Sequence, residues 1–359
     1  MKIHVVRPGE LGAPEIAAWR AMQDTLPHLA NPFLSPEFAV AMGEVSPHAR
    51  VAVLDDGEPA GFLAYELNGR GVGAAIGAWV SLGQGLVHRP GLEITADELL
   101  AGAGLHVYEY GTLVPHQPWF QPFETLSQES VIVDVSGGFP AYLEGLSKQF
   151  VSNTFRKERK LGREVGEVSF DFDVRDEATF RQLLEWKSGQ YRAMGRPDRF
   201  AKHWVRELAE RLWAIDTPAF AAPLSILYAG GKPVAGHFGP RSSSVLVDWF
   251  PAYDPALSRY SPGLIMHLRL SEAAAAHGVR SFDLSVGTGS QYKNSLRSHG
   301  MPVGEGIVRR RTAGAAAHWV RTEPVRRTRR FILETPALYG AADRLMRTAA
   351  KVRNRGQAQ

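Results

Sequence analysis

Residues 224–296 read LSILYAGGKPVAGHFGPRSSSVLVDWFPAYDPALSRYSPGLIMHLRLSEAAAAHGVRSFDLSVGTGSQYKNSL. Leu224–Tyr228 alternate apolar and small residues, Gly230-Gly231 turn the chain with Lys232 at the tip, and Val234–Phe238 return, which is the pattern of a hairpin. Ser242–Ser244 turn the chain again into a third strand, Val245–Phe250. Ser261 is a good N-cap, Pro262 suits the first helical position, and Gly263 leaves the backbone open to approach. Leu264, Ile265, Leu268 and Ala275 recur at helical spacing, and His277-Gly278 is a plausible stop. Ser281–Ser285 then read as a buried strand, with Tyr292 and Lys293 in a polar loop beyond it. The free amides and dipole at the corner Arg259–Gly263 suit a phosphate or pyrophosphate, and the corner opens a βαβ-type crossover, where ligands bind. An ordinary capped helix start explains the same residues.

Outward from this stretch, 359 residues suit two domains, and 44% hydrophobic with 22% charged residues are the proportions of a globular protein with a sizeable core. The absence of cysteine excludes thiol catalysis, thiolate metal sites and disulfide scaffolds. The opening MKIHVVRPGE has no apolar signal region. Residues 71–88 carry no Asp, Glu, Lys or Arg, but their glycines, Ser81 and Gln84 read as strands and turns rather than a membrane span. Charge is divided unevenly. Residues 309–359 hold 13 Lys/Arg against 3 Asp/Glu, and the remaining 308 residues hold 28 against 34. A slightly acidic body therefore carries a basic tail.

Along the chain, residues 1–10 open with a strand, Ala13–Leu29 and Pro36–Val45 are helices, and Arg50–Leu54 with Ala60–Leu67 form a hairpin around an Asp-Gly turn. Asp97–Ala103 is a helix, and His106–Tyr110 and Val131–Val135 are strands. Ser136-Gly137-Gly138 mark a domain boundary. Phe139–Val165 is one helix or two, with a cationic face of Lys148, Arg156, Lys157, Arg159, Lys160 and Arg163. That face is either solvated or meets the phosphates of a donor or an anionic glycan. Val168–Val174 is a strand, Glu177–Tyr191 and His203–Trp213 are helices, and Met194–Arg199 between them is a polar loop able to close over a site. Ala313–Gln359 reads as two helices broken at Pro324 and Pro336.

The order strand–turn–strand–strand–corner–helix–strand resembles the GNAT N-acyltransferase superfamily. SNTFRKERKLGREVGEV (Ser152–Val168), GKPVAGHFG (Gly231–Gly239), WFPAYDPALSRYSPG (Trp249–Gly263), FDLSVGTGSQYKNSL (Phe282–Leu296) and FLSPEFAVAM (Phe33–Met42) are similar to the acetyltransferase group associated with cellulose and exopolysaccharide genes, the CelD/BcsL type, over roughly residues 10–310. That group in turn resembles the Fem-type aminoacyl transferases. The resemblance implies an α/β chain of two tandem GNAT-like domains: residues 1–137, residues 138–311 holding the donor site, and a basic helical tail at 312–359. It implies acyl-CoA as co-substrate, with the corner formed by Arg259, Tyr260, Ser261, Pro262 and Gly263 taking the pyrophosphate on its backbone N–H groups. The usual GNAT corner leads two glycines with Gln or Arg, and this one does not. Lys293, in YKNSL, would neutralise donor or oxyanion charge.

N-acyl transfer needs an exposed donor carbonyl, an amine stripped of a proton and a partner for the oxyanion. His237, in the returning strand, is placed to take the proton or is a hydrogen-bonded packing residue. Asp248, beside Trp249 in mid-strand, is a base or amine-binding group, since a carboxylate there is costly without a partner or a role. Asp283 is a further catalytic candidate, or fixes a neighbouring backbone or pairs with Lys293. The 12 histidines are scattered, so no metal is expected, and there is no P-loop, Rossmann fingerprint or nucleophile elbow.

The function expected is N-acyl transfer from acyl-CoA to an amine, such as an amino sugar in envelope or exopolysaccharide synthesis. The alternatives are a Fem-type transferase using aminoacyl-tRNA and a non-catalytic glycan- or membrane-associated protein. A cytoplasmic location is expected. The tail, residues 313–359, lies on an anionic membrane surface at its inner face or packs on its own domain. No nucleic-acid module is visible.

Overall fold

The structure, a computed structural model, describes residues 1–334 apart from 79, 288 and 289, and apart from the side chains of 325 and 329–334. The first half contains β1 (Lys2–Val6), α1 (Ala13–Thr25), α2 (Pro36–Val45), β2 (Ala49–Asp55), β3 (Pro59–Asn68), β4 (Val72–Ala75), β5 (Leu86–His88), α3 (Ala96–Gly102), β6 (Val107–Leu113) and β7 (Glu124–Asp134). The second contains α4 (Phe139–Gly145), α5 (Lys148–Glu164), β8 (Val168–Asp171), α6 (Glu177–Ala193), α7 (His203–Trp213), β9 (Phe220–Ala221), β10 (Leu224–Ala229), β11 (Lys232–Phe238), β12 (Arg241–Ser242), β13 (Val245–Val247), β14 (Phe250–Tyr253), α8 (Pro262–Ala276), β15 (Ser281–Val286), α9 (Gln291–Leu296) and β16 (His299–Arg309). α10 (Ala313–Glu334) follows.

One long sheet runs β1-β2-β3-β4-β6-β16-β7-β15-β13-β12-β9, with β5 also on β3, and a smaller sheet runs β14-β11-β10-β8. Each half carries one parallel pair closed by a helical crossover, β4 with β6 through α3 and β13 with β15 through α8. The halves are therefore two versions of one α/β plan. They are stitched together, since β16 inserts between β6 and β7 while β7 also pairs with β15. β16 has no sequence signature, because Gly300, Pro302, Gly304 and Gly306 interrupt any alternation. Its glycines are sites of close approach: a Cβ at Gly306 would strike the Tyr110 hydroxyl and the Phe123 carbonyl.

A shared core closes the halves on each other. Trp19, Phe33, Phe38 and Phe62 from the first pack in one cluster with Phe180, Leu208, Phe238, Trp249 and Phe250 from the second. Trp249 is the rivet. Its indole N–H donates to the Val80 carbonyl at 2.8 Å, and its ring stacks on Phe250 at 4.3 Å and meets Phe33 edge-on at 5.5 Å.

Pro324 does not break the tail helix as expected. α10 runs through it. An interior proline costs about 3 kcal/mol. Burial of Ala315 and His318 and an Arg309–Glu323 pair at 3.6 Å hold the helix on the N-terminal side. Pro336 and the apolar face from Leu338 to Val352 lie outside the described residues.

Candidate active site

The third strand of the hairpin region is not one strand. Its first part, β13, runs parallel to β15 with Val247 opposite Asp283, and the Asp248 N–H closes the ladder on the Asp283 carbonyl at 2.8 Å. Beyond that bond the chains part. Phe250–Tyr253 turn to pair with β11 in the small sheet, pulled by the burial of Trp249 and Phe250. On the other side β15 slips register between Asp283 and Val286, with Ser285 held at φ 64°. A non-glycine residue in that conformation is strained and belongs to places where surroundings impose it. The result is a fork with one aspartate on each prong.

Asp248 is buried, and three rings surround it. His267 Nε2 lies 3.3 Å from its Oδ1 and His237 Nε2 lies 3.7 Å away. The hydroxyl of Tyr292, in α9, also faces the carboxylate, and burial together with that charge pushes the phenol up. Burial alone would raise the Asp248 carboxyl, but His267, His237 and Lys293 outweigh it and hold it at about 2. His267 Nδ1 lies 2.7 Å from the Gly263 carbonyl, so both of its ring nitrogens meet acceptors. The ring thus bridges the first turn of α8 and the carboxylate. His237 Nε2 contacts the Val247 carbonyl at 3.1 Å, while its Nδ1 is buried without a partner. Burial pushes His237 down to about 4, against the pull of Asp248, so it is a neutral ring at neutral pH. The sequence put His237 in position to take the acceptor's proton. The structure buries it completely, as it nearly does Asp248 (6% exposed) and Asp283 (1%), and its Nε2 is taken up by the Val247 carbonyl, so it supports Asp248 from behind.

Asp283 is the opposite case. Its Oδ1 accepts from the Ser130 hydroxyl and from the Ser285 N–H at 2.7 Å, and its Oδ2 is buried with no partner. Burial raises its carboxyl to about 6, with Asp248 pushing the same way and Ser130, Ser285 and Lys293 opposing. Lys293 lies in α9 rather than in a loop. Its ammonium donates to the carbonyls of Leu284 at 2.5 Å, Val286 at 2.9 Å and Ser285 at 3.4 Å. Those three bonds use all its protons, so here Lys293 clamps the bulge in β15 instead of standing free for an oxyanion.

Two further residues belong to the fork and were missed. Lys187, in α6, donates to the Pro251 carbonyl at 2.8 Å and lies over the Tyr191 ring. Burial lowers its ammonium to about 8, with Asp248 opposing and Arg199, Lys293 and Arg196 assisting. Arg196 and Arg199 thus bring the Met194–Arg199 loop within electrostatic reach. The other miss is His267. A signal existed for both. Lys187 shares a helix face with Leu183 and Leu184, and His267 sits within the apolar run Ile265–Leu268. A polar residue on a buried stripe is the informative exception.

The corner differs from its reading. Ser261 is left-handed at φ 53°, ψ 51° and caps no amide, and its hydroxyl instead accepts from Lys157 of α5 at 2.7 Å. Tyr260 dictates this. Its side chain is fully buried, with its hydroxyl on Glu164 at 2.7 Å. The Leu264 and Ile265 N–H groups turn back to the Ser261 carbonyl, which leaves Gly263 as the amide with no acceptor in the described chain. Of the five residues expected to cradle the donor, Tyr260 and Pro262 are buried and Arg259 pairs with Glu164 at 3.6 Å. What remains at the corner is the Gly263 amide, the start of α8 and the Lys157 ammonium on the Ser261 hydroxyl, groups of the kind that bind a single phosphate.

A βαβ crossover, a forked parallel pair, and a helix corner leading through His267 to a buried carboxylate make this a mixed α/β chain whose two halves share one plan. Residues 149–294 match the family described as Acetyltransferase (GNAT) domain. The chain has no match among curated protein sequences. In fold it is similar to FemX (10% identity, TM-score 0.57), covering 86% of this chain and 96% of that one. It is also similar to the C-terminal domain assigned to a lysylphosphatidylglycerol synthetase of Agrobacterium fabrum (12%, 0.52, covering 85% and 96%) and to L-PGS from Bacillus licheniformis (13%, 0.51, covering 86% and 96%). Among the described residues no group of three His, Asp or Glu side chains is placed to hold a metal, and no helix is long and apolar enough to cross a membrane.

Proposed function

We propose that the chain is an N-acyltransferase that moves an acyl group from acyl-CoA to an amine, with the fork between β14 and β15 as its active cleft. The observation that carries this reading is the pair of buried aspartates of opposite character, Asp248 held ionised and Asp283 raised to about 6, where two parallel strands part. Environments that push two carboxyls apart separate their roles. Asp248 is too acidic to take a proton well, and its fixed negative charge holds and orients the ammonium form of the acceptor. Asp283, raised to about 6 and almost fully buried, is the better-matched base once the fork opens to admit the acceptor. The acyl donor, when bound, supplies an activated carbonyl. The residues of this chain that would hold it are Gly263 and Lys157 at the corner, with Ser261 in support. An amino sugar of the envelope or of an exopolysaccharide is the acceptor we favour, on the CelD/BcsL resemblance.

One observation favours a second donor. The corner offers a single open amide, a thin cradle for a pyrophosphate, while α5 brings a run of cations to it. A Fem-type aminoacyl-tRNA would suit that arrangement, and its activity would be lost on ribonuclease treatment.

Thermal unfolding with 1 mM acetyl-CoA tests the first reading. Binding raises the melting temperature by roughly 2–5 °C, and Lys157→Ala removes most of the shift. No shift with any acyl-CoA at millimolar concentration ends this assignment.

A further inference from the structure

The start of α10 presents a surface the acyl-transfer chemistry does not use. The helix is seated by its inner face, where Ala315 and His318 are buried and His318 Nε2 lies 3.5 Å from Glu109. Its outer face carries Trp319, 45% exposed, and Val320, 65% exposed, with Ala316, Ala317 and Pro324 also exposed. Two bulky apolar side chains side by side in water are costly on a free helix face. Cations surround them: Arg309, Arg310 and Arg311 precede the helix, and Arg321 and Arg327 lie along it. An open groove of about 400 Å³ separates the arginine run from the helix, lined by Arg309–Arg311, Thr312 and Trp319. The Arg309 guanidinium is partly buried and pairs with Glu323 at 3.6 Å, and Arg310 pairs with Asp97 at 3.2 Å, so Arg311, exposed, is the cation of this run left to face the groove.

We propose that this face is a docking surface for an anionic phospholipid membrane. A phosphodiester headgroup enters the groove against Arg311, while Trp319 and Val320 enter the interfacial layer. The chemistry is complementary on both counts. Basic residues are drawn to anionic leaflets, and indole rings settle at the headgroup level, where one edge is wet and the other apolar. A nucleic acid would use the arginines but has no need of an exposed aliphatic Val320 beside them, which favours a bilayer. Residues 309–359 carry 13 Lys/Arg against 3 Asp/Glu, so the rest of the segment adds attraction of the same sign. The inference does not rest on the acyl-transfer reading, and acylation of a soluble amine leaves it untouched.

The full-length protein is sedimented with phosphatidylcholine vesicles and with vesicles containing 30% phosphatidylglycerol, at rising salt. Binding to the anionic vesicles is at least tenfold stronger and falls with salt. Trp319→Ser with Val320→Ser weakens it several-fold, and Arg311→Ser by about fivefold, with unchanged melting temperatures. Vesicles containing lipid brominated near the headgroup quench wild-type fluorescence more than that of Trp319→Ser. Equal binding to both vesicle types, binding indifferent to these substitutions, or binding to RNA without binding to vesicles would each overturn the proposal.

Discussion

Asp283 carries the sharpest consequences of any single residue. Its carboxyl stands at about 6 against an ordinary 3.8, raised chiefly by burial. A raised carboxyl means that stability is fully present below pH 4, where both states are protonated, and is lost as pH rises through 6, where the buried group must ionise. The loss is about 3 kcal/mol at neutral pH. Asp283→Asn removes that cost and keeps an oxygen for Ser130 and Ser285. We expect it to melt higher than wild type at pH 7.5 and no higher at pH 4. If Asp283 is the base, turnover rises with pH through 6 in the wild type, and the asparagine variant loses both about 100-fold of rate and that acid limb. A variant that is stabilised yet fully active would leave Asp283 a structural residue only. At this scale much was legible. Asp248 and Asp283 stood out in the sequence as carboxylates inside apolar strands. His267 and Lys187 did not, because each looked like one more position on a helix whose inward face was read from its hydrophobic members alone.

Among the elements, helices with a regular stripe, such as Pro36–Val45, capped by Ser35, and His203–Trp213, lie where their sequences place them. The departures are at the fork. Val245–Phe250 reads as one strand because its pattern is continuous, yet two sheets claim its two ends. Ser261 reads as a standard N-cap, yet the buried Tyr260 ahead of it sets the backbone. Both are tertiary effects overriding local preference. α9 belongs with them, since its lysine holds the carbonyls of a strand that turns away from its neighbour. Lys293→Met leaves Leu284, Ser285 and Val286 without those bonds. The expected outcome is a loss of about 1–3 kcal/mol by chemical denaturation, faster amide exchange at 284–287, and lower turnover. Lower turnover with unchanged stability and exchange would point instead to direct contact with reacting charge.

For the whole molecule, two halves were legible from the motif order, but their joining was not. Inserting β16 between β6 and β7 depends on a glycine-rich strand that no periodicity reveals, and the common aromatic core depends on residues more than 200 positions apart, Phe33 and Trp249 among them. Trp249 is bound to both halves and to the fork. Trp249→Ala should cost about 3–5 kcal/mol and lower one cooperative transition; two separate transitions would mean that the halves fold independently. The account as a whole stands on the donor lying between the prongs, and a crystal structure with coenzyme A bound measures that directly. It should show a phosphate at the Gly263 amide and the Lys157 ammonium, with the thiol end directed toward Asp248 and Asp283. Coenzyme A seated elsewhere, with the fork still closed around its own side chains, would contradict it.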